Sequence, residues 1–167
     1  LIPGDSPKPR GNVVTTHSFV DADHVGNWVT RRLQTGILIF VSRAPMIWYS
    51  KQLNTVETST FGSEIVAMKI SVELIEALKY KLIMFGILID GLTHVFCNNE
   101  AMTKNTIYPE PTLKKKHYAI AYHRAREAVV AGTIRVTKEE GKTNLADVLT
   151  KPLPQITRDY LCNKFMY

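Results

Sequence analysis

Cysteine is scarce in this chain: Cys97 and Cys162 stand far apart and form no CxxC pair, which argues against a disulfide framework and against a cysteine zinc site. A reducing, intracellular setting is the simplest expectation. Long apolar runs are missing as well, since the longest, KLIMFGILIDGL, is too short to span a bilayer and is broken by Lys81, Gly86 and Asp90. No transmembrane helix is expected. The chain starts at Leu1 with no initiator methionine and no apolar segment behind it, so no signal peptide is read and a longer polyprotein or multidomain parent is expected. Acids are in the minority, leaving a net charge of +6 and a pI near 9.3. That excess favours a polyanionic partner, nucleic acid first, with solubility alone as the ordinary alternative.

What is present suits one domain, because 167 residues at 45% hydrophobic can bury a substantial core. Residues 1–12 hold prolines, glycines and basic residues without periodicity and read as a flexible linker, leaving 13–167 as the domain. VVTTHSFVDAD, TGILIFVS and MIWYSK read as three strands, with breaks at 27–34 and 43–45 short enough for an antiparallel meander. A long helix is expected over 60–85, then a buried strand LTHVFC ending at Asn98 and a short helix near 99–104. A further helix runs through KKKHYAIAYHRAREAVVAG to Gly132, then a strand TIRVTK, then a helix in NLADVLTK with Asn144 as its N-cap.

The phase of the long helix singles out one residue. Glu64, Met68, Ser71, Ile75, Leu78 and Leu82 succeed one another at spacings of four, three, four, three and four, which is one helix face. Lys69, Glu73, Glu76 and Lys79 form the solvated stripe on another side. Glu64 is therefore an acid on the buried face, which is costly without a cationic partner. It either caps the helix and pairs with a lysine, or it holds a cation.

Three other polar residues fall at comparable places. In this element order the first strand can lie at the centre of the sheet with the fourth parallel beside it, and Asp21 and Asn98 then end neighbouring strands at a switch in strand order. Asp147 begins the last helix. Asp21, Glu64, Asn98 and Asp147 can thus converge, and an all-oxygen set of this kind favours Mg²⁺ or Mn²⁺ over zinc. Taken locally, the paired amides Asn98 and Asn99 after VFC are equally compatible with an ordinary turn.

At this point the sequence resembles a known family. VDADHVG, RRLQTGILIF, WYSKQLNTVETSTFGSE, VFCNNEA, KKKHYAIAYHRAREAV and NLADVLTKPLP keep the order and approximate spacing of the ribonuclease H domain that ends the Pol polyprotein of copia-type LTR retrotransposons. The resemblance runs from Ser18 to about Pro154. It implies an α/β ribonuclease H-like fold, a five-stranded mixed sheet of order 3-2-1-4-5 flanked by helices, and hydrolysis of the RNA strand of RNA/DNA hybrids with two Mg²⁺ ions, for which Mn²⁺ can substitute. It also implies an upstream reverse transcriptase domain in the same polyprotein and a cytoplasmic, virus-like-particle location. The family's acids match Asp21, Glu64 and Asp147, and its third acid falls on Asn98, where the pattern has aspartate. Impaired hydrolysis is the expected consequence, and a catalytically inactive hybrid-binding or structural module is the alternative.

Basic and polar residues around these positions are candidates for the nucleic-acid backbone: Arg31 and Arg32 in the first hairpin, Ser63 and Asn99 beside the acids, and Lys114, Lys115, Lys116, His117 and Arg124 on or before the second helix. For the lysine run a solvated face is the bland reading. Ser63 also suits capping, and His117, His123 and Arg124 suit helix packing. Trp28 is expected near a bound hybrid and Trp48 in the core.

Overall fold

The computed structural model describes residues 11–23, 32–56, 60–99 and 116–166. Strand β1, Thr16–Asp23, pairs antiparallel with β2, Arg32–Val41, which pairs antiparallel with β3, Ala44–Val56. Helix α1 spans Thr60–Met84. Strand β4, Thr93–Cys97, then runs parallel to β1, and after helix α2, Lys116–Val130, strand β5, Ile134–Lys138, runs parallel to β4. The five-stranded sheet has the order β3-β2-β1-β4-β5, as the sequence led us to expect.

Why β2 reads as an unbroken apolar run is clear from its two faces. Ile37 and Ile39 face α1 and α2 in the main core with Val20, Val95, Ile65, Met68, Val72 and Ala125. Leu38 and Phe40 face the other way, onto Leu145 and Leu161. A strand covered on both sides needs apolar residues at every position. The α1 face read from the sequence is buried at Met68, Ser71, Ile75, Leu78 and Leu82, and each such aliphatic side chain contributes about 1.5–3 kcal/mol. Ser71 is accommodated there by a hydroxyl pair with Ser18 at 3.2 Å, and Thr16 and Thr93 make a similar pair at 2.6 Å. The helix pair itself is close because Gly62 has no side chain: a Cβ there would run into the Tyr118 ring.

Several expectations need correction. The β2–β3 break is a tight turn at Ser42 and Arg43, with Ser42 at φ 53°, and Pro45 lies inside β3. An edge strand tolerates a proline because one row of its N–H groups has no partner strand. The stripe of α1 is only partly solvated. Lys69 pairs with Glu73, but Glu76 bonds Arg124 on α2 and Lys79 donates to the carbonyls of Gly91 and Thr133. Asn144 does act as an N-cap, but the segment it caps, Leu145–Leu149, is a 3-10 turn, and a further helix α3, Gln155–Cys162, was not anticipated. Trp48 is 70% exposed. Its neighbours Ile47 and Tyr49 reach the main core, whereas Trp48 lies across from Leu38 on the opposite face, at the rim of an apolar cavity of about 410 Å³. Both cysteines are free thiols, and among the described residues no helix is long and apolar enough to cross a membrane. The short helix expected from Asn99 onward lies, beyond Asn99, outside the described residues, as do Trp28 and residues 1–10 of the linker.

Candidate active site

Asp21 sits near the end of β1, 3% exposed, and Asn98 comes directly after the last residue of the adjacent parallel strand β4. Their side chains meet: the Asn98 amide donates to Asp21 Oδ1 at 3.3 Å. The other Asp21 oxygen, Oδ2, accepts from the Thr150 hydroxyl at 2.5 Å and lies 3.5 Å from the Lys151 ammonium. That ammonium is also 3.0 Å from Asp147 Oδ2. Asp21 and Asp147, from opposite ends of the sequence, are thus joined through one lysine.

The turn carrying Asp147 is held to the sheet by two devices. Asn144, fully buried, donates to the Val20 carbonyl at 3.0 Å and accepts from the Ala146 N–H at 3.1 Å, so one amide both staples the turn to β1 and caps it. The second device is a missing side chain. Gly36 is the partner of Asp21 across β1 and β2, and a Cβ there would meet Thr150 Cγ2 at 2.6 Å and the Ala146 carbonyl at 2.8 Å. The turn packs directly on β2 backbone because that position is bare.

Glu64 enters from the first turns of α1. Burial raises its pKa from 4.5 to about 7, and nearby Asp21 pushes the same way, while a hydrogen bond from Asn99 and the charge of Lys151 oppose the rise. Burial together with Asp21 lifts Asp147 from 3.8 to about 6, against its ion pair with Lys151. Burial alone would lower the Lys151 pKa, but Asp21, Asp147 and Asp23 outweigh it, and the group is raised. Glu64 Oε2 and Asp147 Oδ1 are buried and find no hydrogen-bond partner among the described residues.

These shifts carry a stability consequence. A folded chain that binds protons more tightly than the unfolded one loses stability as pH rises through the gap between the two pKa values, here about 4.5 to 7 for Glu64 and 3.8 to about 6 for Asp147. In metal-free buffer the melting temperature is expected to fall across that range. Glu64→Gln removes one of the two contributions and should flatten the curve, raising stability at pH 7.5 by about 1–2 kcal/mol once solvent screening is allowed for. A melting temperature that drops on this substitution would show that Glu64 is a structural cap or ion-pair partner instead.

The donor chemistry suits a hard divalent cation: oxygen ligands, with two buried carboxylate oxygens that find no partner among the described residues. The arrangement with Lys151 inside it does not. Among the described residues, no three acidic, histidine or cysteine side chains are grouped tightly enough to hold a metal ion.

The other candidates fare unevenly. Asn99 bonds Glu64 and so belongs to the site. Ser63 is fully buried on the core side of α1, which removes it from contact with a hybrid. Arg124 is already ion-paired within the fold, with Glu76 and Glu127. Arg31, Lys114 and Lys115 lie outside the described residues, while Arg32 opens β2 and Lys116 and His117 open α2. Thr150 and Lys151 were missed. The signal available for Lys151 was its spacing from Asp147, four residues on.

Comparison with solved structures agrees with this topology. The ribonuclease H1 of Halobacterium salinarum superposes with a TM-score of 0.59 at 16% identity, over 81% of this chain and 94% of that one. The fold is that of ribonuclease H. The LC11 ribonuclease H1 in complex with an RNA/DNA hybrid gives the same score at 16% identity, over 82% of this chain and 93% of its own. In sequence, this ribonuclease H fold is 31% identical over 140 residues to the retrovirus-related Pol polyprotein from transposon TNT 1-94 of Nicotiana tabacum. It is 27% identical over 147 residues to that from transposon RE2 of Arabidopsis thaliana. These alignments take in 82% and 88% of the chain and bear out the resemblance to retrotransposon Pol. The chain spans 10% of the length of either relative. No family model matches it.

Proposed function

We propose that the chain is the ribonuclease H domain of a retroelement Pol polyprotein, that it binds RNA/DNA hybrids at the strand ends carrying Asp21, Glu64, Asn98 and Asp147, and that hydrolysis of the RNA strand there is impaired by Asn98. The observation that carries this reading is the meeting of Asn98 with Asp21, and of Asp21 and Asp147 with Lys151, on a ribonuclease H fold, with two carboxylate oxygens that find no partner among the described residues. Mg²⁺ ions, or Mn²⁺ in their place, would be held by Asp21, Glu64, Asp147 and the Asn98 carbonyl. The chemistry such ions supply when bound is activation of water and stabilisation of the leaving oxygen at a phosphodiester.

The chain's own residues set how well that works. Thr150 fixes the Asp21 carboxylate, Asn144 fixes the turn bearing Asp147, and Asn99 orients Glu64. Asn98 presents its amide N–H to Asp21, where an aspartate would add a charge. That same contact favours a second reading, a hybrid-binding module with no cleavage of its own. The 2′-hydroxyls of the RNA strand would distinguish the hybrid from duplex DNA. On this reading the upstream partner is a reverse transcriptase domain in one intracellular polyprotein.

Binding is expected to be electrostatic at its base. Replacing Lys114, Lys115 and Lys116 by alanine should weaken hybrid binding and reduce the salt slope by about 0.9 for each phosphate that is no longer neutralised. Anisotropy titrations at several salt concentrations read this directly, with duplex DNA and duplex RNA as competitors. An unchanged slope assigns the run to a solvated face, and equal affinity for all three duplexes removes the hybrid-binding function.

A further inference from the structure

We propose that Lys151 is a tethered cation, occupying the carboxylate cluster in the metal-free protein and required to swing out before a divalent ion can enter. The inference rests on the reading of the site as a divalent-ion site and deepens it by naming the residue that sets its affinity. The ammonium lies between the Oδ2 atoms of Asp21 and Asp147, at 3.5 and 3.0 Å, and those two side chains are only 2% and 10% exposed. Two carboxylates so buried and so close together need a cation between them to offset their mutual repulsion. Lys151 supplies one from within the chain. It satisfies the site incompletely, since Glu64 Oε2 and Asp147 Oδ1 remain buried and find no partner among the described residues.

Movement of this group costs little backbone rearrangement. Its amide donates to the Asp147 carbonyl at 3.2 Å, so the main chain is anchored independently of the side chain. The side chain is 31% exposed, far more than either aspartate it pairs with, and its flexible four-carbon stem gives the ammonium a route to solvent. With the ammonium gone, Asp147 Oδ2 loses its ion pair and Asp21 Oδ2 keeps only the Thr150 hydroxyl, beside the two carboxylate oxygens that find no partner among the described residues. Lys151 is then one of the groups that close the arrangement to metal, beside the Asn98 amide and the Thr150 hydroxyl on Asp21.

The test compares the unaltered chain with Lys151→Met, which keeps the stem and removes the charge. Calorimetric titration with Mn²⁺ alone should show at least tenfold tighter binding by the variant, and Mn²⁺ should raise its melting temperature more than that of the unaltered chain. Equal or weaker Mn²⁺ binding by the variant overturns the proposal, as does no binding by either protein. Because the variant can lose its fold in metal-free buffer, the unaltered chain provides an independent readout: the rate at which an amine-acylating reagent modifies Lys151, tracked by mass spectrometry against exposed Lys81 and Lys142. Lys151 should react slowly with chelator present and several times faster with Mn²⁺, and a rate indifferent to Mn²⁺ overturns the proposal. None of these readouts uses nucleic acid. Failure to prefer a hybrid in the binding titrations would therefore sink the proposed function while leaving the behaviour of Lys151 as predicted.

Discussion

Asn98→Asp is expected to raise Mg²⁺-dependent cleavage of an RNA/DNA hybrid by about a hundredfold or more, with little change in hybrid affinity. The amide now donates to Asp21 Oδ1 at 3.3 Å. A carboxylate in its place turns an attractive contact into a repulsive one in the absence of metal, and into an additional anionic ligand in its presence. The variant should therefore melt at a lower temperature than the unaltered chain in chelator and recover on adding Mg²⁺. Those two effects have one cause, the added charge, and they should appear together. Gel analysis of end-labelled hybrid gives the rate, and thermal melts with and without Mg²⁺ give the stability. No gain in cleavage would mean that the site is deficient at other positions as well.

Gly36→Ala should destabilise the domain by about 2–3 kcal/mol, because its methyl group would land 2.6 Å from Thr150 Cγ2 and 2.8 Å from a backbone carbonyl that cannot rotate away. For a chain of this size that is a fall in melting temperature of roughly 4–12 °C. The displaced turn carries Thr150, Lys151 and Asp147, so the substitution should also disturb the contacts to Asp21 without touching an acid. Gly141→Ala makes the matching control, since a Cβ there meets nothing within 4 Å. It should change stability by less than about 0.5 kcal/mol. Similar melting temperatures for the two variants would mean that the turn does not rest on β2 in solution.

The parts legible in the sequence were those in which one residue's surroundings repeat along the chain. The alternating and continuous apolar runs placed the strands, and the spacing along α1 put Glu64 on the face of Met68 and Ile75. Family motifs carried the strand order and the positions of Asp21, Asn98 and Asp147. The residues that escaped are those whose role depends on partners distant in sequence. Lys151 is four residues from Asp147, a spacing common on any helix, and only the packing of the turn against β1 brings Asp21 to it. Arg124 reads as a basic helix residue until α1 supplies Glu76. Trp48 reads as core until β3 proves to be an edge strand whose outer face is thinly covered. Helix α3 is eight residues long and comes after two prolines, too little periodicity to separate from a loop.

Cleavage of labelled RNA/DNA hybrid by the chain as it stands, run beside duplex DNA and duplex RNA with Mg²⁺ and with Mn²⁺, tests whether this is a ribonuclease H site weakened at one ligand. Scission of the RNA strand of the hybrid alone is expected, faint with Mg²⁺ and stronger with Mn²⁺, whose coordination accepts an amide oxygen more readily. Robust Mg²⁺ cleavage with Asn98 in place, or cutting of the duplexes at rates equal to the hybrid, would contradict it.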